Sequence, residues 1–131
     1  MKFMLMMNAP RGTGDWGVMK WSEDLKAHIR FMKTLNKELE GAGELVAGEG
    51  LAAPAQARVV RAGKNGAPIT DGIFPEAKEF LAGYWIVDVE SPEQAYAIAA
   101  RASAAPGPGG TPINMAIEVR QVMSGPPDEL L

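Results

Sequence analysis

Two carboxylates next to a lysine are the first candidates for chemistry in this sequence. Asp71 and Glu79 lie near each other along the chain, and Lys78 directly precedes Glu79. Two carboxyl groups beside a lysine favour a site in which one acts as an acid and the other as a base. An irregular segment could bring them to the mouth of a pocket. The simpler alternatives are that Asp71 closes an Asp-Gly turn and that Lys78 and Glu79 form an ion pair between subunits.

The single histidine, His28, falls within the apolar stripe of a predicted helix, between Leu25 and Met32. Burial there suits a general base that assists the carboxylates. We favour the alternative of a histidine at the edge of the core whose ring binds a backbone group. With one histidine and no cysteine, a zinc site would need carboxylates for its remaining ligands. The sequence therefore predicts no metal site and requires no cofactor.

Aromatic side chains indicate a pocket for a flat organic ligand. Tyr84 and Trp85 are adjacent in a predicted strand, and Trp16 and Trp21 lie in and just after a glycine-rich loop. The alternative is that these residues belong to a core or an interface, where aromatic side chains are more often found. The glycine-rich loop lacks the spacing of a phosphate-binding loop, so its signal for a phosphate site is weak.

Length, charge and composition indicate how many domains the chain has and which classes of protein it can belong to. A chain of 131 residues fits one domain. Its net charge of -3 is spread along the chain without the basic stripe typical of nucleic-acid binding. No apolar stretch approaches the roughly 20 residues that span a bilayer. Since the chain has no cysteine, a reducing compartment suits it. We expect a cytoplasmic protein that binds neither nucleic acid nor membrane.

Six main predicted elements position these residues. Apolar alternation predicts the strands, and apolar spacings of three and four after an N-cap predict the helices. The elements are a strand at 2–7, a helix from Ser22 that stops at Gly41, a strand at 44–51, a strand at 84–89, a helix opened by a capping box at Ser91, and a strand at 115–122. The Asn65-Gly66 pair predicts a hairpin that joins 58–62 to 68–70 as a small extra ribbon.

The order strand, helix, strand, strand, helix, strand predicts an α+β fold. The same order of elements occurs in the ferredoxin-like split βαβ arrangement, an antiparallel sheet with both helices on one face. The strands at 2–7 and 84–89 are apolar on both sides, so the bare face would expose an apolar patch that a monomer rarely tolerates. Two copies packed sheet to sheet would bury this patch. We therefore expect a homodimer.

Short motifs from about residue 1 to residue 122 resemble the YCII-related proteins of the DGPF type. The motifs are Gly48-Glu49-Gly50-Leu51, Thr70-Asp71-Gly72-Ile73-Phe74, Glu76-Ala77-Lys78-Glu79, Gly83-Tyr84-Trp85-Ile86-Val87, and the end from Ile117 to Val122 with Glu118, Arg120 and Gln121. The chain departs from the family pattern at Ile73, where the family has proline, and at Ala82, where glycine is usual.

The resemblance implies a dimeric α+β barrel. We expect a single YCII-related domain over residues 1–123 and a flexible C-terminal tail at 124–131. It implies little about activity, because most members are uncharacterised bacterial proteins in which a histidine and an aspartate suggest an enzyme. The candidate catalytic residues are Asp71, Glu79 and His28, and the candidate ligand-binding residues are Lys78, Glu49, Tyr84 and Trp85. Our leading prediction is a homodimer that binds a small molecule in a pocket and carries out acid–base chemistry. The alternative is a non-catalytic metabolite-binding or protein-interaction accessory module.

Overall fold

The computed structural model describes residues 1–10, 22–71 and 79–123. In chain order the elements of these ranges are β1 (Lys2–Pro10), α1 (Ser22–Gly41), β2 (Leu45–Gly50), β3 (Val59–Ala62), β4 (Pro68–Asp71), β5 (Glu79–Asp88), α2 (Pro92–Ser103) and β6 (Ile117–Gln121). Most of the predicted glycine-rich loop and the tail at 124–131 fall outside the described residues. Neither α1 nor α2 is long and apolar enough to cross a bilayer.

Four of the strands form an antiparallel sheet in the order β2-β5-β1-β6. Strand β1 lies next to β5, with Phe3 opposite Val87 and Leu5 opposite Trp85. On its other side β1 pairs with β6, where Leu5 lies opposite Val119. Directly opposed residues share a face of the sheet, so these five side chains all point to the same side. The predicted α+β class, with an antiparallel sheet and two helices, is confirmed.

Both helices pack against that side of the sheet. Leu35 and Leu39 of α1 are buried, at 2% and 1% exposure. Helix α2 contributes the predicted small residues, Ala95, Ile98, Ala99 and Ala102, all of them buried. One cluster joins these side chains to Phe3, Leu5, Trp85, Val87 and Val89. Burial of each large aliphatic side chain stabilises the fold by roughly 2 kcal/mol, so this cluster is the main source of stability.

The inward face of α1 differs from its prediction at one position. The spacing of four residues after Leu25 predicts Ile29 in the apolar stripe, but its side chain is 45% exposed. The neighbouring His28 is buried instead, at 8% exposure. Consecutive residues lie about 100° apart around a helix, so a helix that turns His28 inward must carry Ile29 towards solvent.

Helix α2 begins with the predicted capping box. The Ser91 hydroxyl accepts a hydrogen bond of 3.3 Å from the backbone N–H of Gln94, and the Gln94 side chain accepts one of 2.8 Å from the N–H of Glu90. Pro92 occupies the first turn, where its missing N–H costs nothing. The bond from Gln94 satisfies an amide group that the first turn of a helix leaves without a partner, and the bond from Glu90 ties the preceding residue to the same turn. Together they fix where α2 begins.

Strands β3 and β4 form a separate antiparallel pair, which we call the ribbon. Val60 lies opposite Thr70, and Arg61 lies opposite Ile69. Asn65 and Gly66 in its turn have positive φ angles of 63° and 78°, a conformation that asparagine and glycine tolerate best. The hairpin predicted from the Asn-Gly pair is confirmed.

Strand boundaries differ from the predictions where tertiary pairing overrides local composition. Asn8 and Pro10 predicted a loop, yet β1 continues to Pro10. The extension is possible because β5 starts at Glu79 instead of Tyr84, so Glu79 and Pro10 lie opposite each other. Strand β6 begins at Ile117, two residues later than predicted.

Candidate functional site

The sheet face turned away from the helices carries a row of apolar side chains. Strand alternation places Met4 and Met6 of β1 on this side, together with Tyr84 and Ile86 of β5. Met4 lies opposite Ile86, and Met6 lies opposite Tyr84. All four side chains are partly exposed. We call these four residues the open face.

Charged residues border the open face on both edge strands. Glu49 of β2 lies directly opposite Tyr84. Across the face, Glu118 and Arg120 of β6 lie opposite the two methionines of β1. Arg120 Nε is 3.8 Å from Glu118 Oε2, an exposed ion pair that holds the two side chains near each other. Two of the predicted ligand-binding residues, Glu49 and Tyr84, are therefore cross-strand neighbours.

Trp85 lies on the helix side of the sheet, away from Tyr84. Its side chain is 6% exposed, and its Nε1–H donates a hydrogen bond of 2.8 Å to Asn36 Oδ1. Gly48 faces the indole so closely that a Cβ at this position would lie 3.0 Å from Trp85 Cδ1. Trp85 therefore occupies the core, as the alternative interpretation of the aromatic residues holds, and it does not share a surface with Tyr84.

His28 joins α1 to the loop between α2 and β6. Its Nδ1 lies 3.0 Å from the carbonyl oxygen of Pro106. Because a carbonyl only accepts hydrogen bonds, Nδ1 is the protonated nitrogen and donates. One turn earlier in α1, Asp24 Oδ2 accepts a hydrogen bond of 2.8 Å from the N–H of Gly109. The two contacts fix this loop against α1. Such a position, buried and bonded to backbone, is the one that we favoured for His28.

The two candidate carboxylates lie on different strands and have exposed side chains. Asp71 ends β4 in the ribbon, where its Oδ2 is 3.5 Å from Arg61 Nη1. Glu79 begins β5 opposite Pro10. Asp71 and His28 thus bind different partners, and convergence of the three candidate catalytic residues at one concavity stays a prediction. Lys78 lies outside the described residues.

The open face and the charged residues beside it form a surface suited to binding an apolar molecule. The open face supplies thioether, alkyl and phenol groups, and its borders supply two carboxylates and a guanidinium. Over residues 1–10, 22–71 and 79–123, no three histidine, aspartate or glutamate side chains gather closely enough to hold a metal ion.

In a comparison with protein families, a model of the YCII-related domain matches residues 1–110. The matched range contains the open face, Glu49 and His28, whereas β6 lies beyond it. No curated protein matches the chain by sequence. Since the family match spans well over half of its residues, the chain belongs to the YCII-related family.

Proposed function

We propose that this YCII-related chain works as a homodimer that holds a small molecule between its two sheets. The observation that carries the proposal is the open face, where two methionines, a tyrosine and an isoleucine lie partly exposed at the centre of the sheet. A monomer in water rarely keeps such a surface uncovered. A second copy, packed face to face about a twofold axis, would remove it from water.

The finer description of the fold belongs to the same proposal. In chain order, the four strands of the main sheet are β1, β2, β5 and β6, and the first and third of them are neighbours at its centre. One helix follows β1 and the other follows β5. This connectivity supports the ferredoxin-like split βαβ arrangement, whose paired sheets would form a dimeric α+β barrel. We also assign the chain to the DGPF type, on the motifs around Asp71 and Tyr84.

Tyr84 and Glu49 are the proposed ligand-binding pair. Directly opposed residues in an antiparallel sheet have Cβ atoms roughly 5 Å apart, so both side chains can touch one bound molecule. The tyrosine ring offers a flat apolar surface, and the carboxylate accepts hydrogen bonds. The pair suits a flat organic molecule that carries a donor group at its edge.

Acid–base chemistry is the second part of the proposal, and His28 is its best-supported residue. The bond between Nδ1 and the carbonyl of Pro106 orients the imidazole ring. An oriented ring is one requirement of a general base. Asp71 and Glu79 remain the proposed carboxylates. A non-catalytic binding module is the alternative, and it is favoured by the same His28 bond, which also suits a structural histidine.

Sedimentation equilibrium tests the dimer. We expect the wild-type chain to have twice its monomer mass, and Ile86→Asp to have the mass of one chain, because the substitution puts a charge at the centre of the buried face. Ile29→Asp is the matched control, since Ile29 is equally apolar but lies exposed on α1. It should remain dimeric. A monomeric wild-type chain contradicts the proposal.

A thermal-denaturation screen tests the ligand site. Small aromatic compounds with amine or amide groups are added one at a time, and a compound that binds the native state raises Tm by an amount that grows with the logarithm of its concentration relative to Kd. The shift should disappear in Tyr84→Leu, which keeps the apolar volume but removes the ring. If every compound that binds the wild-type chain shifts Tyr84→Leu equally, the ligand site lies elsewhere.

A further inference from the structure

Within the part of the chain that the structure describes, the ribbon pairs with no strand of the main sheet. Seven of its eight residues are exposed. Val60 and Ile69 are 58% and 52% exposed. An isolated two-stranded hairpin is only marginally stable in water, and it usually needs a further packing surface.

One side of the ribbon is uncharged. Val60, Ala62, Pro68 and Thr70 oppose one another in pairs and therefore share this side. The other side carries the Arg61–Asp71 ion pair and Ile69, which packs against Gly63. Val60, which is 58% exposed, lies on the uncharged side. The uncharged side is therefore the side that suits an apolar surface.

The dimer proposed above needs more contact than the open face supplies. The open face consists of four residues, whereas a stable specific interface involves about 20–30 residues on each partner. The ribbon follows β2 and precedes β5, so it leaves the sheet at the end where Glu49 and Tyr84 lie.

Charge also favours a second copy as the partner of the ribbon. Residues 58–71 hold Arg58, Arg61 and Lys64 against one acid, Asp71, which gives a net charge of +2 in a chain whose net charge is -3. At the receiving end of the sheet, Glu49 and Glu118 bracket the Tyr84–Met6 pair, and Arg120 lies 3.8 Å from Glu118, so these three residues carry a net charge of -1. The positive ribbon is therefore complementary to this edge, and above all to Glu49, when two copies face each other.

We infer that the ribbon of each subunit packs its uncharged side onto the Tyr84–Met6 end of the open face of the other subunit, with Lys64 near the carboxylates of Glu49 and Glu118. The ribbon then closes the ligand site, so that each site contains residues from both subunits. This inference rests on the proposed homodimer and adds the element that completes its interface.

Cross-linking between two single-cysteine variants tests the contact, because the natural chain contains no cysteine. Val60→Cys and Met6→Cys are mixed, allowed to exchange subunits, and oxidised. A disulfide requires Cβ atoms roughly 4 Å apart, so a heterodimer yield about tenfold above that of a distant pair indicates direct contact. The matched control mixes Ile69→Cys, on the charged side of the ribbon, with Met6→Cys.

We expect a cross-linked heterodimer from Val60→Cys and background from Ile69→Cys. Equal yields from the two ribbon positions, or background from both, overturn the inference. Sedimentation of the wild-type chain separates this failure from failure of the dimer itself. A dimeric mass with no selective cross-link refutes only the ribbon contact, whereas a monomeric mass refutes the dimer and the ribbon contact together.

Discussion

A Cβ atom at Gly83 would come within 2.9 Å of the backbone carbonyl oxygen of Glu49. Gly83 is buried in β5, and β2 approaches it there more closely than any side chain allows. The close approach sets the position of β2, and with it the position of Glu49 beside Tyr84. We expect Gly83→Ala to destabilise the protein by about 1–3 kcal/mol, because backbone must move to admit the methyl group.

Gly50 provides the matched control for this substitution, since it lies directly opposite Gly83 and a Cβ there would meet nothing within 4 Å. Gly50→Ala should leave stability within about 0.5 kcal/mol or raise it slightly. Urea denaturation measures both free energies of unfolding. Equal values for the two variants would show that β2 does not depend on the absence of a side chain at Gly83.

The second prediction concerns the hydrogen bond between Asn36 and Trp85 and its contribution to stability. Asn36→Leu removes the acceptor and leaves the indole N–H of Trp85 unpaired in a buried position. The expected loss is about 1–3 kcal/mol in the free energy of unfolding. Lys37→Leu, at the exposed neighbouring position, controls for the change of residue type in the helix. Comparable stability of the two variants would contradict the role of this bond.

Truncation of two apolar residues of α1 should change the free energy of unfolding by very different amounts. Leu39 is 1% exposed, so Leu39→Ala leaves a cavity and should cost about 2–5 kcal/mol. Ile29 is 45% exposed, so Ile29→Ala should cost less than about 0.5 kcal/mol. Thermal unfolding of both variants measures the contrast. A large loss at Ile29 would place it in an interface or in the core.

His28 should control the dynamics of the loop that it binds. In His28→Leu the carbonyl of Pro106 loses its donor, and the amides of Gly107 and Ile113 should exchange faster with solvent hydrogen. His28→Asn keeps an N–H near the position of Nδ1 and should restore much of the protection. Hydrogen exchange at the amide of Asp88, which bonds to Glu44 in another part of the fold, serves as the reference.

Local signals in the sequence predicted the features that depend on few residues. The capping box at Ser91 and the turn at Asn65 are each fixed by hydrogen bonds or by φ angles within a short segment, and both predictions are confirmed. The length of β5 depends instead on partners. Glu79 joins that strand because Pro10, far away in sequence, lies opposite it. The amino-acid composition around Glu79 does not indicate that Pro10 pairs with it.

The candidate site could be predicted only in part for the same reason. Glu49 and Tyr84 were named separately, and only the register of β2 against β5 makes them neighbours. The role of Asn36 was missed, although it lies four residues after Met32 and three before Leu39, which is the spacing of the inward stripe. A polar residue at such spacing predicts a buried hydrogen bond.

The pairing of β1 with β6 also affects how the chain is made. These strands are neighbours in the sheet but lie at opposite ends of the described sequence, with Phe3 opposite Gln121. During synthesis, β1 can pair with β5 as soon as residue 88 has left the ribosome, while its other edge remains unpaired until β6 follows. An unpaired edge of this kind readily recruits strands from other nascent chains. The interval between the emergence of β5 and that of β6 is therefore the period in which this sheet is most exposed to aggregation.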